Sequence, residues 1–303
     1  MKKLLLIIGI IDCILLWLVN VHVVNSMDKD SSNSNLIADN YFMLDKDNYY
    51  LEVDYLFVQN TNNYVAKDKQ DLLNIIYSVL NNGYESYNFK CSSKYAMCSD
   101  DVINIFSDKY ILSAINNLVN PYNSYQNINI SYLKNGEYNI KVIKLYSNED
   151  IKEINNKINE VSKSIINDNM TLEEQIKAVH DYIINNSVYD IDGLSGKSKY
   201  KYNSAYGALI EGHAICTGLS DALSLFLNTL DIPNYKVVSN SHVWNVVYVN
   251  NEWLHIDITY DSPLVSYNEN IMRYDYYLIN TKKLNSLNSK EHDYNKIIYL
   301  ELM

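Results

Sequence analysis

Between residues 147 and 230 apolar side chains return every three or four positions, and between 243 and 258 every second one. The first spacing paints one stripe on a helix, the second one face of a strand. Ile151, Ile154, Ile158, Val161 and Ile165 follow the capping box at Ser147 to Asp150, and Leu172, Ile176, Val179 and Ile183 run through the one at Thr171 to Glu174. Two amphipathic helices are predicted. Leu219, Ala222, Leu223, Phe226, Leu227 and Leu230 cover more than one stripe, which predicts a buried central helix. Alternation on both sides of Asn250-Asn251 predicts a two-residue hairpin. If Val249 faces Glu252, then Trp244 faces Asp257 and His242 faces Thr259, so His242 and Asp257 become diagonal neighbours within side-chain reach.

The region 45–147 mixes short elements. YYLEVDYLFV reads as a strand, DLLNIIYSVL as an amphipathic helix, and the runs around Asn135-Gly136 as a hairpin, which together predict a small α+β domain of unread role. It holds no histidine. Residues 27–44 are polar and read as a tether. Asp28, Asp30, Ser32, Ser34 and Asp39 lack the turn glycine and closing glutamate of a calcium loop. Tyr189 to Tyr202 is polar and glycine-bearing, a loop ahead of the central helix.

Residues 1–26 open with Lys2 and Lys3 and continue apolar from Leu4 to Val24. This predicts an export segment, either a signal cut before Met27 or an uncleaved anchor; a span tolerates Asp12 at a cost of about 2.5–3.5 kcal/mol. Both readings put the rest of the chain outside the cytoplasm, secreted or anchored to the cell membrane. There Cys91 and Cys98 are expected to pair, closing a short loop. With Cys13 in the export segment, Cys216 is left over, buried and inert or functional. The 303 residues are 48% hydrophobic, enough for a large core, and a net charge of −11 without a basic block excludes a nucleic-acid partner. No cysteine or histidine set has zinc-ligand spacing, so neither metal nor other cofactor is expected.

The candidate chemistry starts at Cys216, between Gly212 and Gly218 at the start of the central helix. Unpaired N–H groups there carry about half a positive charge and favour thiolate. His242 with Asp257 behind it supplies the base and orienting acid a thiol nucleophile needs. His255 is the rival base, on the same face and deeper in the hairpin. His213 and His180 read as loop and packing residues.

The stretches YNSAYGALIEGHAIC, DIP, HVWN, WLHIDITYDSP and RYDYYLI, in that order, closely resemble the bacterial transglutaminase-like superfamily, whose fold is related to papain-like cysteine peptidases. The resemblance covers roughly residues 170–285. It implies an α+β domain over 148–303, its cysteine helix packed on an antiparallel sheet that carries His and Asp, with Cys216, His242 and Asp257 as nucleophile, base and orienting acid. It departs from the family at His213, where lysine is common, and at Tyr260, where tryptophan is frequent. The implied reaction is acyl transfer through a thioester: cross-linking, deamidation or hydrolysis of a protein or peptide, cell-wall peptide among them. The alternative is a non-catalytic scaffold or binding module. The Cys216 N–H contributes to an oxyanion hole; Tyr206 or Ser204 is the second donor to test, with Trp244 and His255 supporting the triad.

Overall fold

The computed structural model describes residues 23–24, 55–262 and 272–302. Apart from Val23 and Val24, the expected export segment and tether lie outside the described residues. Among those described, no helix is long and apolar enough to cross a membrane. The described residues divide into two units, one of 55–145 with Val23-Val24, the other from Tyr146 onward.

The first unit is a five-stranded mixed sheet in the order β1-β4-β5-β3-β2, with β1 Val23–Val24, β2 Val65–Ala66, β3 Ser86–Cys91, β4 Tyr125–Lys134 and β5 Glu137–Lys144. β4 and β5 close on Asn135 and Gly136 with φ of 51° and 76°, the left-handed pair a tight hairpin turn requires. α1 (Lys69–Asn81) starts where Asp68 accepts the Asp71 N–H, and it buries Leu72, Ile75, Ile76, Val79 and Leu80. α2 (Cys98–Ser107) and α3 (Lys109–Asn117) follow β3. Cys91 and Cys98 are joined as a disulfide that ties the end of β3 to the start of α2. The strand expected over residues 49–58 does not form at Tyr55–Val58, where the backbone makes no ladder.

In the second unit both capping boxes form as the sequence spells them. Ser147 and Asp150 exchange hydrogen bonds at the head of α4 (Asn148–Ile165), and Thr171 and Glu174 do so at α5 (Leu172–Asn186). A short strand Val188–Tyr189 runs parallel to His213–Ala214, and the loop between them holds a helical turn at Ile191–Leu194. α6 (Cys216–Thr229) is buried from Cys216 through Asn228, the central helix that its apolar surround predicts. It packs on a three-stranded antiparallel sheet of Asn234–Val238, Val243–Val249 and Glu252–Ile256, with Val243–Val249 in the middle.

Candidate active site

Cys216 is the first residue of α6, set there by an extended Ile215 whose side chain gives no cap. The partial positive charge of the first N–H groups of the helix lies at the Cys216 end. Gly212 brings the chain in at φ 72°, and Gly218 lets the first turn lie against backbone: a Cβ there would stand 2.7 Å from the Ser204 carbonyl oxygen and 2.8 Å from that of Tyr202. Cys216 has 0% exposure, so its sulfur is closed to solvent in this state.

The neighbouring strand is fastened to this helix one turn beyond the cysteine. The Ser220 hydroxyl donates to the Val243 carbonyl at 3.2 Å, and the Asn245 amide donates to the Ser220 carbonyl at 3.0 Å and to Ser224 Oγ at 2.9 Å. His242 immediately precedes Val243, the residue whose carbonyl is bound to Ser220.

The hairpin has the register computed from Val249 facing Glu252, up to Asn245 opposite Ile256. There the ladder stops, and the expected pairings of Trp244 with Asp257 and of His242 with Thr259 do not form. Asp257 instead turns the chain into Ile258–Asp261, its Oδ1 accepting the N–H groups of Thr259 at 2.9 Å and Tyr260 at 3.2 Å. Its Oδ2 meets His242 Nε2 at 2.6 Å. A second histidine that nothing in the sequence singled out, His292, meets the same oxygen through its own Nε2 at 2.8 Å. All three groups are buried. Burial pushes the Asp257 carboxyl up, but the charge of His242 and the donations from His242 and His292 outweigh it and hold it well below the usual carboxylate range.

The other residues singled out in the sequence fall around this cluster or away from it. Trp244 lies nearly parallel to the His242 ring at 5.8 Å and sends its indole N–H to His255 Nδ1 at 3.0 Å. The Nε2–H of His255 donates to Thr281 Oγ1 at 3.1 Å, and burial, with His292 nearby, holds its pKa down to about 3. Both ring nitrogens of His255 are thus engaged, one by the Trp244 indole and one by Thr281. The Tyr206 hydroxyl donates to Glu153 at 2.8 Å, and that of Ser204 to the Lys201 carbonyl at 2.7 Å. Each has spent its single proton, so neither is the second oxyanion donor. His213 stacks on Tyr200 at 3.9 Å. His180, fully buried, sits between Asp181 at 2.9 Å and Asp261 at 3.3 Å; burial lowers its pKa, and the two carboxylates outweigh that and raise it.

Among the described residues, His242, Asp257 and His292 are the group whose ligand atoms lie close enough together, within 4.8 Å, to hold a metal ion. The 2.6 and 2.8 Å separations are hydrogen-bond lengths, shorter than the roughly 3.3 Å edge of a tetrahedral shell with zinc–ligand bonds near 2.0–2.1 Å. The arrangement is that of shared protons.

Residues 159–258 match the sequence model of the transglutaminase-like superfamily, a span that includes Cys216, His242 and Asp257 and leaves out His292. No curated protein matches the chain. Among solved structures it is similar to a TGase at 15% identity and a TM-score of 0.36, over 77% of this chain and 65% of that one. It is also similar to a candidate cysteine protease from Cytophaga hutchinsonii, at 15% identity and a TM-score of 0.29, over 44% of this chain and 57% of the other. The chain thus spans less than two thirds of either protein.

Proposed function

Starting from a transglutaminase-like superfamily domain at residues 159–258, we propose that the protein catalyses thiol-dependent acyl transfer, with Cys216 as nucleophile, His242 as base and Asp257 as orienting acid. The observation that carries this reading is the 2.6 Å bond from His242 Nε2 to the buried carboxylate of Asp257, at the end of a strand fastened to the helix that begins with Cys216. An ionised carboxylate only accepts, so it fixes the proton on Nε2 and leaves Nδ1 as the nitrogen with proton affinity for the thiol.

In the first half-reaction the Cys216 thiol gives its proton to His242, and the sulfur attacks a carboxamide or peptide carbonyl carbon. The carbonyl oxygen takes the electron pair, held by N–H groups at the helix start, Cys216's own among them. The C–N bond then breaks and His242 protonates the departing ammonia or amine, leaving a thioester. An amine or a water molecule, deprotonated by His242, attacks that thioester and expels the sulfur, which recovers its proton. An amine acceptor gives a cross-link; water gives deamidation or hydrolysis.

We place this reaction outside the cytoplasm, on exported proteins or cell-wall peptide, with the chain secreted or tethered through residues 4–24. The apolar run after Lys2 and Lys3 and the bond between Cys91 and Cys98 support that compartment. The full burial of Cys216 favours a second reading, a non-catalytic module that keeps the fold. The discriminating experiment incubates the full chain with labelled amine plus glutamine peptides and with labelled cell-wall peptides. Turnover lost in Cys216→Ala, together with a trapped acyl-enzyme on Cys216, supports acyl transfer. Turnover unchanged by that substitution overturns it, and a Cys216 inert to every peptide and to iodoacetamide supports the scaffold.

A further inference from the structure

Asp257 receives four donors: two backbone N–H groups on Oδ1, and the imidazoles of His242 and His292 on Oδ2. One imidazole suffices to orient a base, so the second calls for an account. We infer that His292 is a positioning residue of the site, one that holds the Asp257 carboxylate in line with His242 and shares its charge so as to limit the basicity of His242. This rests on the triad reading given above.

The tautomers follow from the donors. Because the carboxylate only accepts, His292 as well as His242 must present its proton from Nε2. The Nδ1 of His292 then carries a lone pair, and it lies 2.9 Å from the Ser289 hydroxyl, a suitable donor. Burial lowers the pKa of His292 and outweighs the pull of Asp257, so its ring serves as a neutral donor that leaves Asp257 charged. A neutral N–H on Oδ2 draws charge away from the bond to His242 without cancelling it.

The ring of His292 is braced on every side. Tyr276 stacks on it at 4.8 Å with 18° between planes, and Trp244 and Tyr260 meet it edge to face at 4.8 and 4.7 Å. Its turn, Lys290–His292, is pinned by Ser239, which donates to the Glu291 carbonyl at 2.5 Å, and by Tyr260, whose hydroxyl binds the Glu291 carboxylate. The titratable groups facing the pair are therefore Asp257, Glu291, Tyr260, Tyr276 and the neutral His255. Of these, Tyr260 is committed to Glu291 and His255 to Thr281.

The test uses the full chain with its imidazole nitrogens labelled and follows the His242 ring by nuclear magnetic resonance against pH. In His292→Leu the titration midpoint of His242 rises by on the order of one pH unit, the response to one lost donor on its carboxylate. His292→Gln, whose amide nitrogen reaches about where Nε2 stood, returns the midpoint towards that of the unaltered chain. His292→Asn, one methylene shorter, does not, and this pair decides the matter if the leucine variant fails to fold. A purely structural His292 lowers the melting temperature in these variants and leaves the midpoint in place; that result overturns the inference. Alkylation of Cys216 by iodoacetamide, mapped by mass, is read alongside. If it is absent, or indifferent to His242→Ala, the triad reading fails, whereas the midpoint still reports whether His292 acts on the pair.

Discussion

The indole N–H of Trp244 donates to Nδ1 of His255 at 3.0 Å. An indole nitrogen has only a proton to give, so the facing nitrogen must hold a lone pair and the imidazole is neutral. Burial keeps it so, with a pKa down to about 3 against about 6.5 in an unfolded chain. Between those two values the unfolded chain binds one more proton than the folded one. This group's contribution is whole above pH ~6.5 and declines by about 1.4 kcal/mol per unit as the pH falls. In His255→Asn, which still offers Trp244 an acceptor, urea unfolding between pH 6 and 4 shows a slope shallower by about that amount. An unchanged slope means that His255 is not the group being charged.

Asp257 combines two duties that one substitution separates. Asparagine keeps the cap on Ile258–Asp261, since its carbonyl accepts the Thr259 and Tyr260 N–H groups as the carboxylate does. It removes the charge that stabilises an imidazolium at His242. Asp257→Asn therefore retains the fold by near-ultraviolet circular dichroism and loses acyl transfer by about 10²–10⁴-fold in kcat/KM. A parallel loss of fold and activity refutes the division.

Lys236 and Asp221 form an ion pair with each partner 2% exposed, and Asp221 also accepts the Tyr146 hydroxyl at 2.5 Å. Tyr146 in turn takes the Ala205 N–H at 2.8 Å, so the pair reaches from the middle of α6 to the helical segment ahead of Cys216. Lys236→Met strands a buried carboxylate and costs about 3–5 kcal/mol. The double change with Asp221→Asn, which keeps an acceptor for Tyr146, recovers most of it. Urea midpoints of the unaltered chain and the two variants measure this directly.

Gly218 stands in the first turn of α6, where alanine would ordinarily help a helix by up to about 1 kcal/mol. Here the added methyl meets two carbonyl oxygens at under 3 Å, both of them backbone. Gly218→Ala is expected to destabilise by about 1–3 kcal/mol and to shift the helix start that presents Cys216. Thermal melting and the alkylation rate of Cys216 are the two measurements. A more stable variant refutes the close packing.

What the sequence made legible was local. The two capping boxes, the Asn-Gly and Asn-Asn turns and the buried α6 all depend on residues a few positions apart, and each is present. The hairpin register carried His242 and Asp257 together for a partly different reason than expected, because Asp257 leaves the ladder to cap the next turn. The direction of a long side chain is not readable from its place in the chain, and Tyr206 reaches back to Glu153 in α4. His292 carries no signal at all. It lies 35 residues past Asp257 in a polar turn without periodicity, and only tertiary packing brings it to Oδ2.

A sulfur with no exposed surface is hidden from oxidants and from foreign disulfides as thoroughly as from a substrate. On the proposed role, whatever motion admits an acyl donor to Cys216 also admits peroxide. On that role, oxidative wear on Cys216 keeps pace with the time its sulfur spends uncovered, and an idle molecule preserves its thiol.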